Sequence, residues 1–273
     1  MSFVLEAKNI SVKLKDRFIV ENSSFTVKEG ECLGILGESG SGKSMTVKAM
    51  LGLLDRNFKV TGNAFFEGKD LVNQSKESLR NIRGEKITMV LQNPMTCFDP
   101  LYRIGNQMSE TFETHTNWSK EEIYKNSIDI LKRMHIRDAE EVLQKYPHQL
   151  SGGMLQRIMI GIAMAMKPKL LIADEPTTAI DAITQFEIME EFKKIKEEYN
   201  TAMIFITHDL GAISRIANNI LVMNKGNIVD RGDFRHILNN ATDPYTRLLV
   251  EKRSAVMKSY RKIVHKEGIE KNG

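Results

Sequence analysis

Eight consecutive residues, Gly37-Glu38-Ser39-Gly40-Ser41-Gly42-Lys43-Ser44, follow the spacing G-x-x-x-x-G-K-[ST]. Glycines at these positions let backbone N–H groups curl around an anion, and a helix opening at Lys43 adds its positive end. In such a loop Lys43 would reach terminal phosphates and the Ser44 hydroxyl would ligate Mg2+, with Thr46 one turn on in the same nucleotide-facing segment. About 130 residues later the apolar run Leu170-Leu171-Ile172-Ala173 ends in Asp174-Glu175. An aspartate at the end of a strand beside a phosphate loop is the expected organiser of Mg2+. Glu175 would take a proton from an attacking water if it lies within hydrogen-bond reach. Alone, the first stretch reads as a glycine-rich turn and the second as a solvated acidic turn. Together they point to binding and hydrolysis of a nucleoside triphosphate.

These groups need elements that bring them together. Cys32–Leu36 reads as a short buried strand entering the loop, and a helix from Lys43 to about Leu54 leaves it. Residues 3–12 and 18–28 alternate and are rich in Val, Ile and Phe, as antiparallel strands are. A further strand pair fits Val60–Phe66 and Lys86–Leu91. Residues 104–145 are Glu/Lys-rich, with Ile123, Ile130, Leu131 and Met134 at helical spacing, and read as a helical insertion. A helix over 152–166 leads into the strand at Leu170. A helix over 182–198, a strand over 202–206 and a hairpin near Ile220–Arg231 follow. Alternating strands and helices predict an α/β fold with a parallel sheet covered on both faces.

Composition narrows the class. The chain has 273 residues, 41% of them hydrophobic and 27% charged, which suits a folded protein of one or two domains. Its net charge of +4 invites a nucleic-acid or membrane-surface reading. The seven basic and three acidic residues after Val250 account for that whole excess, so residues 1–250 are neutral and the nucleic-acid reading loses its support. The longest apolar run, Ile158–Met166, is nine residues, and a membrane helix needs about 20. The opening MSFVLEAKNI has no charged segment followed by an apolar core, so no secretory leader is expected. Two cysteines make no disulfide framework. Met154, Met159, Met164 and Met166 lie near helical spacing and read as adaptable core packing rather than metal ligands.

Leu150-Ser151-Gly152-Gly153-Met154-Leu155-Gln156-Arg157 precedes the acidic strand. Ser151 can cap a helix there, leaving the N–H groups of Gly152 and Gly153 open to an anion. With the loop and the acidic strand, this segment makes the chain resemble the ATP-binding cassette (ABC) family over about residues 4–250. The order of motifs matches throughout. Gln92 stands where the family has its Q-loop glutamine, residues 150–157 match the signature with Met154-Leu155-Gln156 in place of the commoner run, Asp181 matches the D-loop, and His208 matches the switch histidine. Gln92-Asn93-Pro94-Met95-Thr96-Cys97-Phe98-Asp99-Pro100 and Asp243-Pro244-Tyr245-Thr246-Arg247 look like stretches of the peptide and nickel importer branch. The shorter subunits of that branch, including those of nickel and metal–metallophore import, are the most similar.

The resemblance implies a P-loop ABC ATPase core with an N-terminal antiparallel β subdomain and an inserted helical subdomain over about 93–150. Together these form a cassette over 1–250, followed by a basic tail over 251–273. It implies two cassettes facing head to tail, with ATP held by one chain's phosphate loop and the other's Ser151, Gly152 and Gly153. Gln92 would join Ser44 and Asp174 at Mg2+, Glu175 would polarise the water, and His208 would bind the γ-phosphate. The partners implied are two membrane permease subunits, a second ATPase subunit, different or identical, and indirectly a solute-binding protein; nucleic acid is not among them. The chain would then sit peripherally at the cytoplasmic face of the membrane. The insertion would offer a groove to a permease coupling helix. One departure concerns adenine. Leu14 occupies the position where the family usually has a stacking aromatic, and Phe18 is the candidate substitute. A soluble ABC ATPase outside any transporter is the alternative function.

Overall fold

A computed structural model describes residues 3–178 and 180–252. The chain opens with β1 (Phe3–Leu14), β2 (Arg17–Lys28), β3 (Cys32–Leu36), α1 (Lys43–Met50), β4 (Phe58–Phe66), β5 (Lys69–Asp70), α2 (Lys76–Ile82) and β6 (Ile87–Val90). Three helices come next, α3 (Ile104–His115), α4 (Lys120–Arg133) and α5 (Ala139–Gln144), and then α6 (Gly152–Ala165) and β7 (Leu170–Asp174). The rest is α7 (Ala182–Glu198), β8 (Ala202–Thr207), α8 (Leu210–Ile216), β9 (Asn219–Asn224), β10 (Asn227–Gly232) and α9 (Phe234–Asn239), with residues 244–252 helical. The basic tail expected over 251–273 lies outside the described residues from Arg253 onward.

Among the described residues the strands form two sheets. One is antiparallel, in the order β2-β1-β4-β5; the other runs β10-β9-β3-β8-β7-β6, parallel except for the β9–β10 hairpin. All five residues of β3 and of β7 are buried, as strands covered on both faces require. Their period-2 alternation divides the core. Leu33, Ile35, Leu170, Ile172 and Ile204 pack with α1 and the antiparallel sheet. Cys32, Leu171, Ala173, Met203 and Phe205 pack on the other face with α3, α4, α6 and α7.

Two expectations are revised. Val60–Phe66 and Lys86–Leu91 are not a pair: β4 joins β1 antiparallel, Val12 opposite Val60, while β6 joins β7 parallel, Ile87 opposite Leu170. A short β-branched run declares its type locally, but its partner is set by which sheet buries it. The first helix stops at Met50 rather than near Leu54. There Gly52 takes φ +60°, and the N–H groups of Gly52 and Leu53 return to Ala49 O at 3.1 Å and Lys48 O at 2.9 Å.

The helices between β6 and α6 are built to be stable and to dock. Ser119 and Glu122 form a reciprocal capping box at the start of α4. Ile123, Ile128 and Leu131 line its buried face. The Arg133 Nε donates to Glu191 of α7, whose other carboxylate oxygen accepts from Lys194 at 2.7 Å, which ties these helices to the central sheet's own layer.

Candidate functional site

The phosphate loop leaves the end of β3 and runs directly into α1. Gly42, the residue before the helix, has φ +104°, a conformation that disfavours any residue with a Cβ. Gly37 is constrained by space instead: a Cβ there would lie 2.4 Å from Met223 O and 2.6 Å from Ser41 Oγ. Backbone contacts brace the loop, with Gly226 N–H donating to Ser41 O at 3.0 Å and Glu21 N–H to Gly226 O at 2.9 Å. Lys43 is 4% exposed, and its Nζ donates to Gly37 O at 2.8 Å and Glu38 O at 2.9 Å. Glu38, Ser39 and Gly40 are exposed, and Thr46 is buried with its hydroxyl on Gly42 O at 3.0 Å. Ser41 Oγ is buried and finds no hydrogen-bond partner among the described residues.

Strand register brings the distant groups to this loop. Leu36 of β3 lies beside Thr207 of β8, and Asp174 of β7 beside Ile206 of β8, so three strand ends finish nearly level. Open α/β sheets bind ligands at this edge. Ser44 Oγ donates to Asp174 Oδ1 at 2.7 Å across 130 residues of sequence. Asp174 is 1% exposed. Burial pushes its carboxyl above the ordinary carboxylate range, a pull that the Ser44 hydrogen bond and the Lys48 and Lys43 charges oppose and the Glu175 charge reinforces. A buried carboxylate paired with a serine hydroxyl is an all-oxygen donor set of the kind Mg2+ takes.

Glu175 follows at φ +48°, a left-handed conformation that costs a non-glycine residue roughly 1–2 kcal/mol. Its N–H is fixed to Ile206 O at 2.9 Å. The turn aims Glu175 Oε2 at His208 Nδ1, 3.0 Å away, and Thr178 Oγ1 donates to the same oxygen at 3.2 Å. The Glu175 carboxylate is thus held by two side-chain partners at the end of β7, beside the loop. Thr178 carries no signal in the sequence that would have singled it out.

The other expected residues stand apart. Gln92 lies two residues beyond β6 with its side chain exposed. Ser151 caps α6, accepting from Met154 N–H at 3.2 Å, and a Cβ on Gly152 would meet nothing within 4 Å, so this helix end is open. Asp181 caps α7 through Thr184 N–H at 3.0 Å, and that hydrogen bond lowers its pKa. Phe18 is 41% exposed on β2 with Lys13 Nζ 4.0 Å over its ring; Leu14 is 36% exposed at the neighbouring hairpin tip.

A parallel sheet with a glycine-rich loop on one strand end and an acidic pair on another defines a P-loop nucleoside triphosphatase. The particular family follows from comparison. The pattern described as "ABC transporter" matches residues 20–178, and the chain belongs to the ABC transporter family as an ATP-binding, ATP-hydrolysing subunit. It is 41% identical over 249 residues to the metal-staphylopine import system ATP-binding protein CntD of Staphylococcus aureus, covering 91% of this chain and 92% of that one. It is 43% identical over 250 residues to the oligopeptide transport ATP-binding protein OppD of Haemophilus influenzae, covering 90% and 77%. It is 40% identical over 267 residues to the dipeptide transport ATP-binding protein DppD of Lactococcus lactis, covering 96% and 76%. Among solved structures it superposes on a dimeric ATP-binding cassette in a post-hydrolysis state with ADP and Pi. The TM-score is 0.76 at 28% identity, over 85% of this chain and 99% of that one.

Proposed function

We propose that this chain powers an ABC importer for nickel, metal chelates or small peptides, hydrolysing Mg-ATP at the site formed by residues 37–44, Asp174, Glu175 and His208. The observation that carries the reading is the convergence of Lys43, Ser44, Asp174, Glu175 and His208 on one sheet edge. The loop N–H groups and Lys43 hold the β- and γ-phosphates, Lys43 exchanging its carbonyl partners for phosphate oxygens. Ser44, Asp174 and Gln92 would hold Mg2+, which when bound would neutralise phosphate charge. A water attacks the γ-phosphorus, Glu175 takes its proton, and the bond to the ADP oxygen breaks. His208 keeps the Glu175 carboxylate aimed and donates to the γ-phosphate.

A second cassette, a sibling chain or another copy of this one, completes each site with residues corresponding to Ser151, Gly152, Gly153 and Asp181. The capped, open end of α6 suits an anion that arrives from outside this chain. Phe18 offers the adenine an aromatic face. The cassette spans 1–250, with the helical subdomain over about 93–150. A groove of about 650 Å3 between that subdomain and the central sheet, lined by Leu51, Leu53, Phe98, Tyr102 and Met159, takes a permease coupling helix. Among the described residues no helix is long and apolar enough to cross a membrane. In this reading, which rests on the import systems of the relatives, permease subunits supply the path and the chain sits against them at the cytoplasmic face. The cargo reading rests on the relatives, which serve metal-staphylopine, oligopeptide and dipeptide systems.

The test is co-purification of the tagged chain from membranes, followed by uptake assays with the recovered permeases and binding protein. Two permeases, a second cassette and ATP-dependent uptake of a metal chelate or a small peptide are expected. Recovery of the chain without any permease would favour the soluble ATPase instead.

A further inference from the structure

The Asp243-Pro244-Tyr245-Thr246-Arg247 stretch has no part in the chemistry above, yet it reaches the phosphate loop. Glu38 N–H donates to the Tyr245 hydroxyl at 2.9 Å across 207 residues. Gly37 O, the other end of the same peptide unit, accepts from Lys43 Nζ at 2.8 Å. That unit is planar, so fixing its N–H fixes the carbonyl that grips the lysine.

The stretch is itself rigidly anchored. Asp230 is 7% exposed and accepts from the N–H groups of Thr242 at 2.9 Å, Asp243 at 3.3 Å and Arg231 at 2.9 Å. Asp243 Oδ1 accepts from Tyr245 N–H at 2.8 Å, and Arg247 returns to Ala241 O and Thr242 O, each at 2.9 Å. Thr246 is fully buried, and Leu249 and Val250 pack with Leu36, the last residue of the strand entering the loop. A tyrosine held this firmly is a fixed post rather than a mobile contact.

We propose that Tyr245 is a positioning residue for the phosphate loop: it fixes the Gly37–Glu38 peptide that carries Lys43, and so couples docking of the 242–250 segment to nucleotide binding. The coupling is reciprocal, because a segment that preorders the loop must itself be held more tightly once nucleotide is bound. The inference rests on the reading that this loop binds nucleotide.

The test compares the full-length wild-type chain with Tyr245→Phe, and with Tyr124→Phe as a control on the exposed face of α4. The readouts are ADP affinity, KM and kcat for ATP, thermal midpoint, and deuterium exchange at the Glu38 amide. Loss of one hydrogen bond that preorders the loop is expected to weaken ADP binding and raise KM by about three- to tenfold. The change in kcat stays within about twofold, because the phenol touches no reacting atom. Glu38 exchanges faster, the thermal midpoint falls by no more than about 3 °C, and Tyr124→Phe behaves as wild type. Wild-type affinity, KM and Glu38 exchange in a folded Tyr245→Phe would overturn the inference alone. Failure of the wild-type chain to bind ADP would overturn the nucleotide reading and this inference with it.

Discussion

Asp174→Asn is expected to make the nucleotide-free chain more stable at neutral pH while removing its Mg2+-dependent ATPase activity. Asp174 is 1% exposed, and burial is the largest influence on it, outweighing the Ser44 hydrogen bond and the lysine charges. Removing a buried, desolvated charge relieves a penalty of several kcal/mol. Against that, asparagine still accepts from Ser44 but through a neutral bond, losing about 1 kcal/mol, and it forgoes the attraction to Lys48 and Lys43. A net gain on the order of 1–2 kcal/mol remains, or about 2–6 °C in melting temperature for a chain of this size. The pH dependence fixes the cause. A carboxyl raised in the folded state costs nothing below its unfolded pKa of about 4. The cost grows as pH rises past that value and is complete above the folded pKa. Melting both proteins from pH 4.5 to 8.5 should therefore show a gap in favour of asparagine that widens with pH. ATPase activity should fall below about one-hundredth of wild type. An asparagine variant that melts lower than wild type at neutral pH, or a gap independent of pH, would refute the assignment of Asp174 as a buried charge kept for metal binding.

Three further outcomes are expected. Gly37→Ala should abolish binding of a fluorescent ATP analogue, because its Cβ would lie 2.4 Å from Met223 O and displace the loop. Glu191→Gln should lower stability to urea by about 1–3 kcal/mol at neutral pH. Burial raises the Glu191 pKa, but hydrogen bonds from Lys194 and Arg133 prevail and hold it low. The loss is thus full above the ordinary carboxylate range and shrinks as pH falls through the folded pKa. His208→Ala should reduce steady-state ATPase activity by at least about tenfold, with ADP affinity within twofold of wild type, since His208 is 3.0 Å from Glu175 and outside the loop that holds the phosphates.

The nucleotide loop was legible in the sequence because its chemistry depends on backbone shape, and backbone shape is written in glycines at fixed intervals. Helix α7 was legible to the residue because Asp181 caps it and apolar residues then recur at helical spacing. Helix α8 was not: Leu210–Ile216 is seven residues, too short for periodicity to show, and its Asp209 cap lay inside a motif read for the histidine beside it. The partners of β4 and β6 were not legible either, because strand type is local and pairing is not. Of the site, the 2.7 Å contact of Ser44 with Asp174 was implied by motif order, whereas the left-handed turn that aims Glu175 has no sequence signal. Tyr245 was visible as part of a motif, but its contact with Glu38 depends on how the far end of the chain folds back.

In the proposed mechanism Glu175 is the base that activates water and takes no part in holding the nucleotide. Glu175→Gln keeps the side-chain shape and an acceptor for Thr178 but cannot take a proton. The decisive measurement is ATP affinity and single-turnover hydrolysis on the same Glu175→Gln preparation. ATP binding within about threefold of wild type, with hydrolysis slowed by at least about a hundredfold, is the expected result. Hydrolysis at the wild-type rate would contradict the account.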